Sequence, residues 1–258
     1  MPNTSRNRSA LKRKLGVVLL SGGLDSTTLA VWAKRQGYEL KGLTFYYGQR
    51  HRRELEAARK VAQILGLEQK VLDVSFFKDL AWRSALTSQE IAVPHEESPD
   101  IPPTYVPLRN TLFIALAAAL LESEALFLIE ERGLNPRELR AAVLIAANII
   151  DWSGYPDCRP EYFEKLAEAL NQGSKLGTQY GVKLEIEAPL VFKSKAEIVR
   201  LGMELGAPLE HTWSCYEGGE VPCGECDSCR LRAKGFAEAG YEDPLMIRLR
   251  REGRLVGK

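Results

Sequence analysis

Short apolar runs alternate with amphipathic stretches along most of the chain. Leu15–Leu20 is a continuous run of leucine and branched side chains, which predicts a buried strand. Residues 26–36 and 52–65 repeat apolar side chains at helical spacing, and a glycine follows each stretch. Further strands are predicted at Leu40–Tyr46, Val71–Val74, Arg140–Ala147 (which also fits a helix) and Leu184–Glu187, and further helices at Asn110–Glu131, at Pro160–Leu176 and from Ser194 to about Gly206. This alternation predicts an α/β fold with a mostly parallel sheet and helices on both faces.

Composition and charge are those of an ordinary globular protein, with a bias at both ends. The 258 residues are 45% hydrophobic and 27% charged, which excludes a disordered chain, a collagen and a disulfide-dense miniprotein. The net charge of +1 conceals an acidic body, because residues 15–245 carry 25 basic and 33 acidic side chains. Residues 1–14 and 246–258 carry five basic side chains each. We expect 1–14 to be a disordered basic tail and 246–258 a second basic tail. The acidic body makes nucleic acid an unlikely partner, whereas the tails leave that question open.

The sequence favours a cytoplasmic protein that makes no contact with a membrane. The polar, basic first fourteen residues and the six-residue apolar run after them do not match a signal peptide. The longest apolar stretch, Leu112–Leu121, has about half the length that spans a bilayer.

A glycine-rich loop connects the first predicted strand to the first predicted helix. The loop is SGGLDS, residues 21–26, and its backbone N–H groups and the helix N-terminus suit a phosphate or pyrophosphate. It is neither a Walker A loop nor a GxGxxG fingerprint, and the simpler alternative is a glycine turn with a capping side chain. The loop resembles that of the ATP pyrophosphatases, which cleave ATP to AMP and pyrophosphate. That resemblance implies a Rossmann-like core over residues 15–210 and an ATP site at Leu20, Ser21, Gly22, Gly23, Leu24, Asp25, Ser26, Thr27, Thr28, Leu29 and Ala30.

Four of the five cysteines lie within fifteen residues near the C-terminal end. They are Cys215, Cys223, Cys226 and Cys229. Four thiolates suit one tetrahedral zinc ion in a closed, structural site, so we expect residues 211–245 to be a zinc-binding segment packed on the α/β domain. A four-iron cluster is the main alternative, although the usual downstream Cys-Pro is missing. The fifth cysteine, Cys158, is equally consistent with a small core residue and with a reactive thiol in a ligand pocket.

A third informative segment is NIIDWSGYPDCRPE, residues 148–161. It is a turn that is rich in distinct functional groups. Together with motifs at 44–58, 105–110, 194–202 and 213–232, it closely resembles the 7-cyano-7-deazaguanine synthases, which act on the route to queuosine and archaeosine. The resemblance covers about residues 15–240. Two features depart from the family pattern. Residues 121–141 look longer than the corresponding segment, and Ala146 and Ala147 precede Asn148 where Gly-x-Asn is expected.

The resemblance implies an ATP-dependent carbon–nitrogen ligase. The expected reaction converts 7-carboxy-7-deazaguanine and ammonia into the nitrile through adenylated intermediates, with free ammonium as the nitrogen donor and magnesium bound with ATP. A homodimer is also implied. Because donors must surround the departing pyrophosphate, catalysis is assigned to Ser21, Ser26, Lys195 and Arg109, and Asp25 is added as the acid of the loop. For Lys195 the alternative is a solvated surface lysine, and Asp25 either meets magnesium or caps the helix.

One edge of the substrate's base carries N–H groups, which need a hydrogen-bond acceptor from the protein. A carboxylate matches the N1–H and 2-amino donors of a deazaguanine, and Asp157 and Asp151 are the candidates. The remaining candidates on the substrate side are Tyr155 and Trp152 as stacking faces and Tyr47, Gln49 and Arg50 from the 44–58 motif.

Two other functions remain open at this point. A tRNA-modifying ATP pyrophosphatase would share the SGGxDS loop and would use the basic tails to bind the phosphate backbone. A non-enzymatic zinc-ribbon module would leave the loop without a purpose.

Overall fold

Five parallel strands form the sheet at the centre of the fold, as the alternation of strands and helices predicts. In chain order they are β1 (Arg13–Leu19), β2 (Tyr38–Tyr46), β3 (Glu68–Asp73), β4 (Leu139–Leu144) and β5 (Leu184–Glu187). The order across the sheet is β3-β2-β1-β4-β5, and every neighbouring pair is parallel. The computed structural model describes residues 13–49, 52–88, 90–91, 101–149 and 155–255. The strand order reverses between β1 and β4, and open α/β sheets bind ligands beyond the strand ends at such a point.

Nine helices lie in the described part of the chain. They are α1 (Leu24–Arg35), α2 (Arg53–Leu65), α3 (Phe77–Leu80), α4 (Arg109–Leu126), α5 (Pro160–Gly173), α6 (Lys175–Tyr180), α7 (Lys195–Glu204), α8 (Asp227–Ala239) and α9 (Pro244–Arg251). The single turn α3 carries no sequence signal beyond a short apolar pair and is absent from the sequence prediction.

Each face of the sheet has its own hydrophobic core. Val17 of β1 and Val143 of β4 belong to the core with α4, whereas Val18 and Leu144 belong to the core with α1 and α7. Successive strand residues point to opposite faces. Because both faces are covered, β1 is apolar at consecutive positions, which is the pattern that predicted a buried strand. The predicted arrangement with helices on both faces is confirmed.

Two predicted helix boundaries rest on local chemistry that the structure contains. Ser194 Oγ accepts a hydrogen bond from the Glu197 N–H (3.2 Å), and the Glu197 carboxylate accepts from the Ser194 N–H (2.7 Å), which completes the capping box at the start of α7. At the C-terminal end of α2, Gly66 adopts the left-handed conformation with φ 62° and ends the helix.

Helix α4 and the turn that continues it form the apolar centre of the first core. A π-helical turn, Phe127–Glu131, extends α4, so that the helix runs over 23 residues from Arg109 to Glu131. An 18-residue window within it has a mean hydropathy of 2.1, so by length and composition the helix could cross a membrane. Its buried side chains, including Ile114 and Leu121, pack on β1 and β4, as expected of a core helix. The unusual segment 121–141 is therefore the end of this helix and its connection to β4. Glu130 joins the segment to α6 by accepting a hydrogen bond from Tyr180 Oη (2.6 Å).

Three predicted boundaries differ from the structure. The predicted N-terminal tail, 1–14, overlaps β1, because Arg13 pairs with Glu39 of β2 at 2.6 Å and begins the strand. The predicted C-terminal tail, 246–258, overlaps α9, whose Leu249 is fully buried. The helix predicted at 160–176 is interrupted at Ser174, whose hydroxyl accepts from the Gly177 N–H and starts α6. Both terminal segments were predicted to be tails because they carry several basic side chains, among which Arg13, Arg250 and Arg251 are exposed to solvent.

Candidate active site

The glycine-rich loop turns its polar groups toward a cavity of about 370 Å³ at the carboxyl ends of the strands. The Ser21 and Ser26 hydroxyls lie 2.9 Å apart, and the Gly23 N–H donates to Ser21 Oγ. Gly23 is also the N-cap of α1, and it has no side chain that could cap the first N–H groups of the helix. The helix N-terminus therefore supplies a site for an anion, as the sequence predicts.

Gly22 allows this loop to pack directly against α2. Its φ is +84°, and a Cβ at this position would lie 2.4 Å from the Glu54 carbonyl oxygen and 2.5 Å from the Ala58 nitrogen. The Gly22 carbonyl in turn accepts a hydrogen bond from the Trp213 N–H (2.9 Å). The glycine is required by both the backbone conformation and the close approach.

Lys195 reaches the loop from the start of α7. Its Nζ lies 2.6 Å and 2.9 Å from the two carboxylate oxygens of Asp25, and both residues line the cavity. Gly235 of α8 lies directly behind the lysine, because a Cβ there would be 2.4 Å from Lys195 Cγ. The predicted phosphate lysine is thus a partly buried side chain at the loop, held between α1 and α8.

Apart from Gly22, which packs against α2, the residues of the predicted ATP site divide into two groups. Those that line the cavity are Leu20, Ser21, Gly23, Leu24, Asp25 and Ser26. The side chains of Thr27, Thr28, Leu29 and Ala30 are fully buried on the far side, and Leu29 and Ala30 belong to the second core. The helical period turns them away from the ligand. Their place in the prediction came from the length of the family motif.

The loop and Lys195 form one half of the cavity, and Arg109 lies in the other half, among aromatic side chains. It is the first residue of α4, and Leu108 before it has a left-handed φ of +54°. The guanidinium carbon lies 5.8 Å from the centre of the Tyr47 ring. Burial lowers the pKa of Arg109, but attraction to the Tyr47 phenol and other acidic neighbours outweighs it and raises the pKa above its ordinary value. The cation is therefore permanently charged in a largely apolar environment.

Glu54 is a site residue that the sequence prediction missed. It lies in the first turn of α2, and its side chain lines the same cavity as Arg109. Burial raises the pKa of the Glu54 carboxyl to about 7, although attraction to the Arg109 guanidinium acts in the opposite direction. Its only sequence signal was its position inside the 44–58 motif, where an acid near a helix N-terminus is ordinary.

The turn before α5 contributes one predicted residue to the cavity and one to the scaffold. Tyr155 lines the cavity, and its hydroxyl lies 2.7 Å from the Thr104 hydroxyl. Asp157 is buried, and its carboxylate accepts a hydrogen bond from the Asn110 N–H at the start of α4 (3.0 Å). Cys158 is buried in the first core, and the Asn110 amide donates to its sulfur (3.2 Å). Contact between Asp157 and the base stays a prediction.

The other predicted substrate residues have mixed outcomes. Tyr47 and Gln49 line the cavity, and Gln49 Oε1 accepts from the Tyr47 N–H (2.8 Å). Arg50, Asp151 and Trp152 lie outside the described residues.

The four clustered cysteines form a second candidate site, suited to a metal ion. The Sγ atoms of Cys215, Cys223, Cys226 and Cys229 all lie within 4.8 Å of one another. Cys223 Sγ and Cys229 Sγ are 3.9 Å apart, and sulfurs on the corners of a tetrahedron around zinc are separated by about 3.8 Å for 2.3 Å bonds. The N–H groups of Cys226 and Glu225 donate hydrogen bonds to Cys223 Sγ. The donor set fits a closed tetrahedral metal site.

The cysteine site continues into a helix that forms one wall of the cavity. Cys226 is the N-cap of α8, and Cys229 lies in its first turn. Ser228 and Arg232 of the same helix line the cavity. Arg232 is buried and pairs with Asp243 at 2.6 Å, which fixes the helix against the start of α9.

Comparison with known proteins gives a consistent family. The model of the queuosine biosynthesis protein QueC matches residues 15–240. The chain belongs to the QueC family. A 7-cyano-7-deazaguanine synthase of Thermoplasma acidophilum is 46% identical over 91% of this chain and 92% of that protein. The synthase of a Nostoc species is 47% identical over 89% of this chain and 95% of that protein. The synthase 2 of Desulfitobacterium hafniense is 48% identical over 90% and 92%.

Membership in the QueC family confirms the resemblance noted in the motifs and places the chain in queuosine biosynthesis. The match begins at Leu15, two residues into β1, and ends at Gly240, the C-cap of α8. It therefore includes the loop, the cavity and all four cysteines.

Proposed function

We propose that this chain is a 7-cyano-7-deazaguanine synthase, an ATP-dependent ligase that converts 7-carboxy-7-deazaguanine and ammonia into the nitrile. The observation that carries the proposal is one cavity with two chemically different halves. The loop and Lys195 suit the phosphates of a nucleotide, and the aromatic half around Arg109 suits a flat heterocycle that bears a negative charge. The names of the QueC relatives agree with this assignment.

The reaction begins by making a poor electrophile reactive. A carboxylate resists attack because its leaving group would be oxide. A carboxylate oxygen of the substrate therefore attacks the α-phosphorus of ATP, pyrophosphate leaves, and an acyl adenylate forms. Ammonia attacks the carbonyl carbon, AMP departs with the carboxylate oxygen, and loss of a proton from nitrogen leaves the amide.

The amide must be activated again before it becomes a nitrile. Its oxygen attacks the α-phosphorus of a second ATP and releases a second pyrophosphate. Departure of AMP with that oxygen, together with loss of both N–H protons, gives the carbon–nitrogen triple bond. Two molecules of ATP are consumed for each nitrile.

The loop residues carry the charge that develops during both adenylations. Hydroxyls of Ser21 and Ser26 and the N–H groups of residues 22–26 donate to the departing pyrophosphate. Lys195 adds its charge by exchanging Asp25 for a phosphate oxygen, and the Asp25 carboxylate would then be free to hold the magnesium that accompanies ATP. The four cysteines hold a structural zinc ion. Free ammonium, a homodimer and a cytoplasmic location complete the proposal.

The experiment is an assay of AMP release by the purified protein with ATP and ammonium, with and without 7-carboxy-7-deazaguanine. We expect release that depends on the deazaguanine and a product with the mass of the nitrile. AMP release that depends instead on tRNA, and weakens steeply with salt, would replace this proposal with a tRNA-modifying function.

A further inference from the structure

Two carboxylates line the cavity among the described residues, and they differ in what they already bind. Asp25 is held by Lys195 at 2.6 Å and 2.9 Å. Glu54 has no hydrogen bond or ion pair within the part of the chain that the structure describes. A carboxylate in a confined cavity that the fold leaves unused is available to a ligand.

One of the two acids predicted from the sequence to bind the base edge already has a partner in the fold. Asp157 is buried, accepts from the Asn110 N–H, and is not among the residues that line the cavity. Its carboxylate holds the start of α4 and so helps to place Arg109, the first residue of that helix. Glu54, on α2, does line the cavity, and it is close enough to Arg109 for the two charges to attract each other.

Glu54 and Arg109 together present an acceptor beside a donor. The six-membered ring of a deazaguanine has the complementary order along one edge: the 6-oxo oxygen accepts, and N1–H and the 2-amino group donate. Aromatic rings surround the pair, since Tyr47, Tyr155 and Tyr216 also line the cavity. A flat ring stacked on these side chains can therefore be oriented by its edge.

We propose that Glu54 and Arg109 are the specificity-determining pair for the base, with the Glu54 carboxylate accepting from N1–H and the 2-amino group and Arg109 donating to the 6-oxo oxygen. This inference rests on the proposed function, because it names the part of the substrate that the cavity recognises. The pair would distinguish the two heterocycles that the enzyme must bind, the deazaguanine of the substrate and the adenine of ATP. An adenine ring offers N1 as an acceptor and a 6-amino donor, which places acceptor against Glu54 and donor against Arg109, so the pair excludes the base of ATP from the substrate position.

The test measures binding of 7-carboxy-7-deazaguanine and of its analogue without the 2-amino group, by isothermal titration calorimetry in the absence of ATP. We expect the wild type to prefer the 2-amino compound by about tenfold to a hundredfold, the range for one bidentate base contact. Glu54→Gln should reduce that preference severalfold or more. The matched control is Glu56→Gln, because Glu56 lies on the same helix, exposed and paired with Arg53 at its surface.

Each outcome of this test decides something different. A Glu54→Gln protein that keeps the full preference overturns the inference, and loss of the preference in Asp157→Asn instead would make Asp157 the reader. A wild type that binds neither compound and releases no AMP with the deazaguanine overturns the proposed function itself. A melting temperature in Glu54→Gln that is no lower than that of the wild type, together with binding of ATP, shows that the variant is folded, so that a lost preference supports the edge contact.

Discussion

Replacing Gly235 with alanine tests whether α8 holds Lys195 in place for ATP. The added Cβ would lie 2.4 Å from Lys195 Cγ and 3.0 Å from Lys195 Cβ. Non-bonded carbons prefer a separation of about 3.5–4.0 Å, so the lysine stem must move by roughly 1 Å. Such overpacking costs about 1–3 kcal/mol, and here the flexible stem rather than the backbone takes most of the shift.

The expected result is a change in ATP use without a comparable loss of fold. A shift of this size removes Nζ from its 2.6 Å contact with Asp25 and from the phosphate position we propose. A loss of about 1.4 kcal/mol in that contact corresponds to roughly a tenfold rise in KM for ATP. Helix stability moves in the other direction, because alanine is about 1 kcal/mol better than glycine inside a helix such as α8. The melting temperature should therefore change little.

The assay follows pyrophosphate release against ATP concentration at saturating 7-carboxy-7-deazaguanine. Gly173→Ala is the matched control, since Gly173 ends α5 and a Cβ there meets nothing within 4 Å. An equal KM for ATP in the two variants would refute the reasoning. So would full additivity between Gly235→Ala and Lys195→Ala, because a residue that acts through the lysine has no effect once the lysine is gone.

Three further predictions concern the glycine-rich loop, the four clustered cysteines and the half-buried acid Glu54. Gly22→Ala should abolish ATP binding in equilibrium dialysis and destabilise the fold. The control is Gly37→Ala, because Gly37 has nearly the same positive φ of +83° but open space around it, so its free energy of unfolding should fall only by the backbone strain, about 1–2 kcal/mol. Equal losses of stability in the two variants would mean that contact with α2 is unimportant. Cys226→Ser should lose zinc in elemental analysis of the purified protein and melt at the temperature of chelator-treated wild type, and a full complement of zinc would contradict the assignment. The pKa of Glu54 is raised by burial from 4.5 to about 7, so between these pH values the folded protein holds a proton that the unfolded chain has lost, and the free energy of unfolding falls as pH rises through this window. Glu54→Gln should remove up to about 3 kcal/mol of that fall in urea titrations at pH 5 and pH 8, and an unchanged slope would show that the carboxyl is solvated.

The sequence was most informative where function depends on neighbouring residues. The loop Ser21–Ser26 follows a buried strand and starts a helix, so a short segment contains both the anion site and its position at the edge of the sheet. The cysteines are similar, because a tight spacing brings four sulfurs together by local geometry alone. The capping box at Ser194 places Lys195 at the first turn of α7, but its contact with Asp25 joins residues far apart in sequence and requires the fold.

The sequence predicted Arg109 as a site residue, but not that Glu54 lies in the same cavity. Arg109 and Glu54 belong to α4 and α2, which are separated along the chain by β3, α3 and residues 81–108, and no spacing rule connects them. Asp157 illustrates a second difficulty, since the sequence does not show that its carboxylate accepts a hydrogen bond from the Asn110 N–H. Residue type identifies which groups can bind a substrate, whereas burial and existing partners decide which of them are available.

The cysteine segment illustrates how composition can mislead about architecture. A shift toward cysteine and glycine near His211 predicts a segment packed on a finished domain. In the structure, the Trp213 N–H donates to the Gly22 carbonyl of the loop, and Gly235 backs Lys195. Cys226 and Cys229 lie at the start of α8, and the same helix carries Arg232 into the cavity wall. Zinc at this site would therefore stabilise one wall of the nucleotide pocket, so its removal should weaken ATP binding before the rest of the fold is lost.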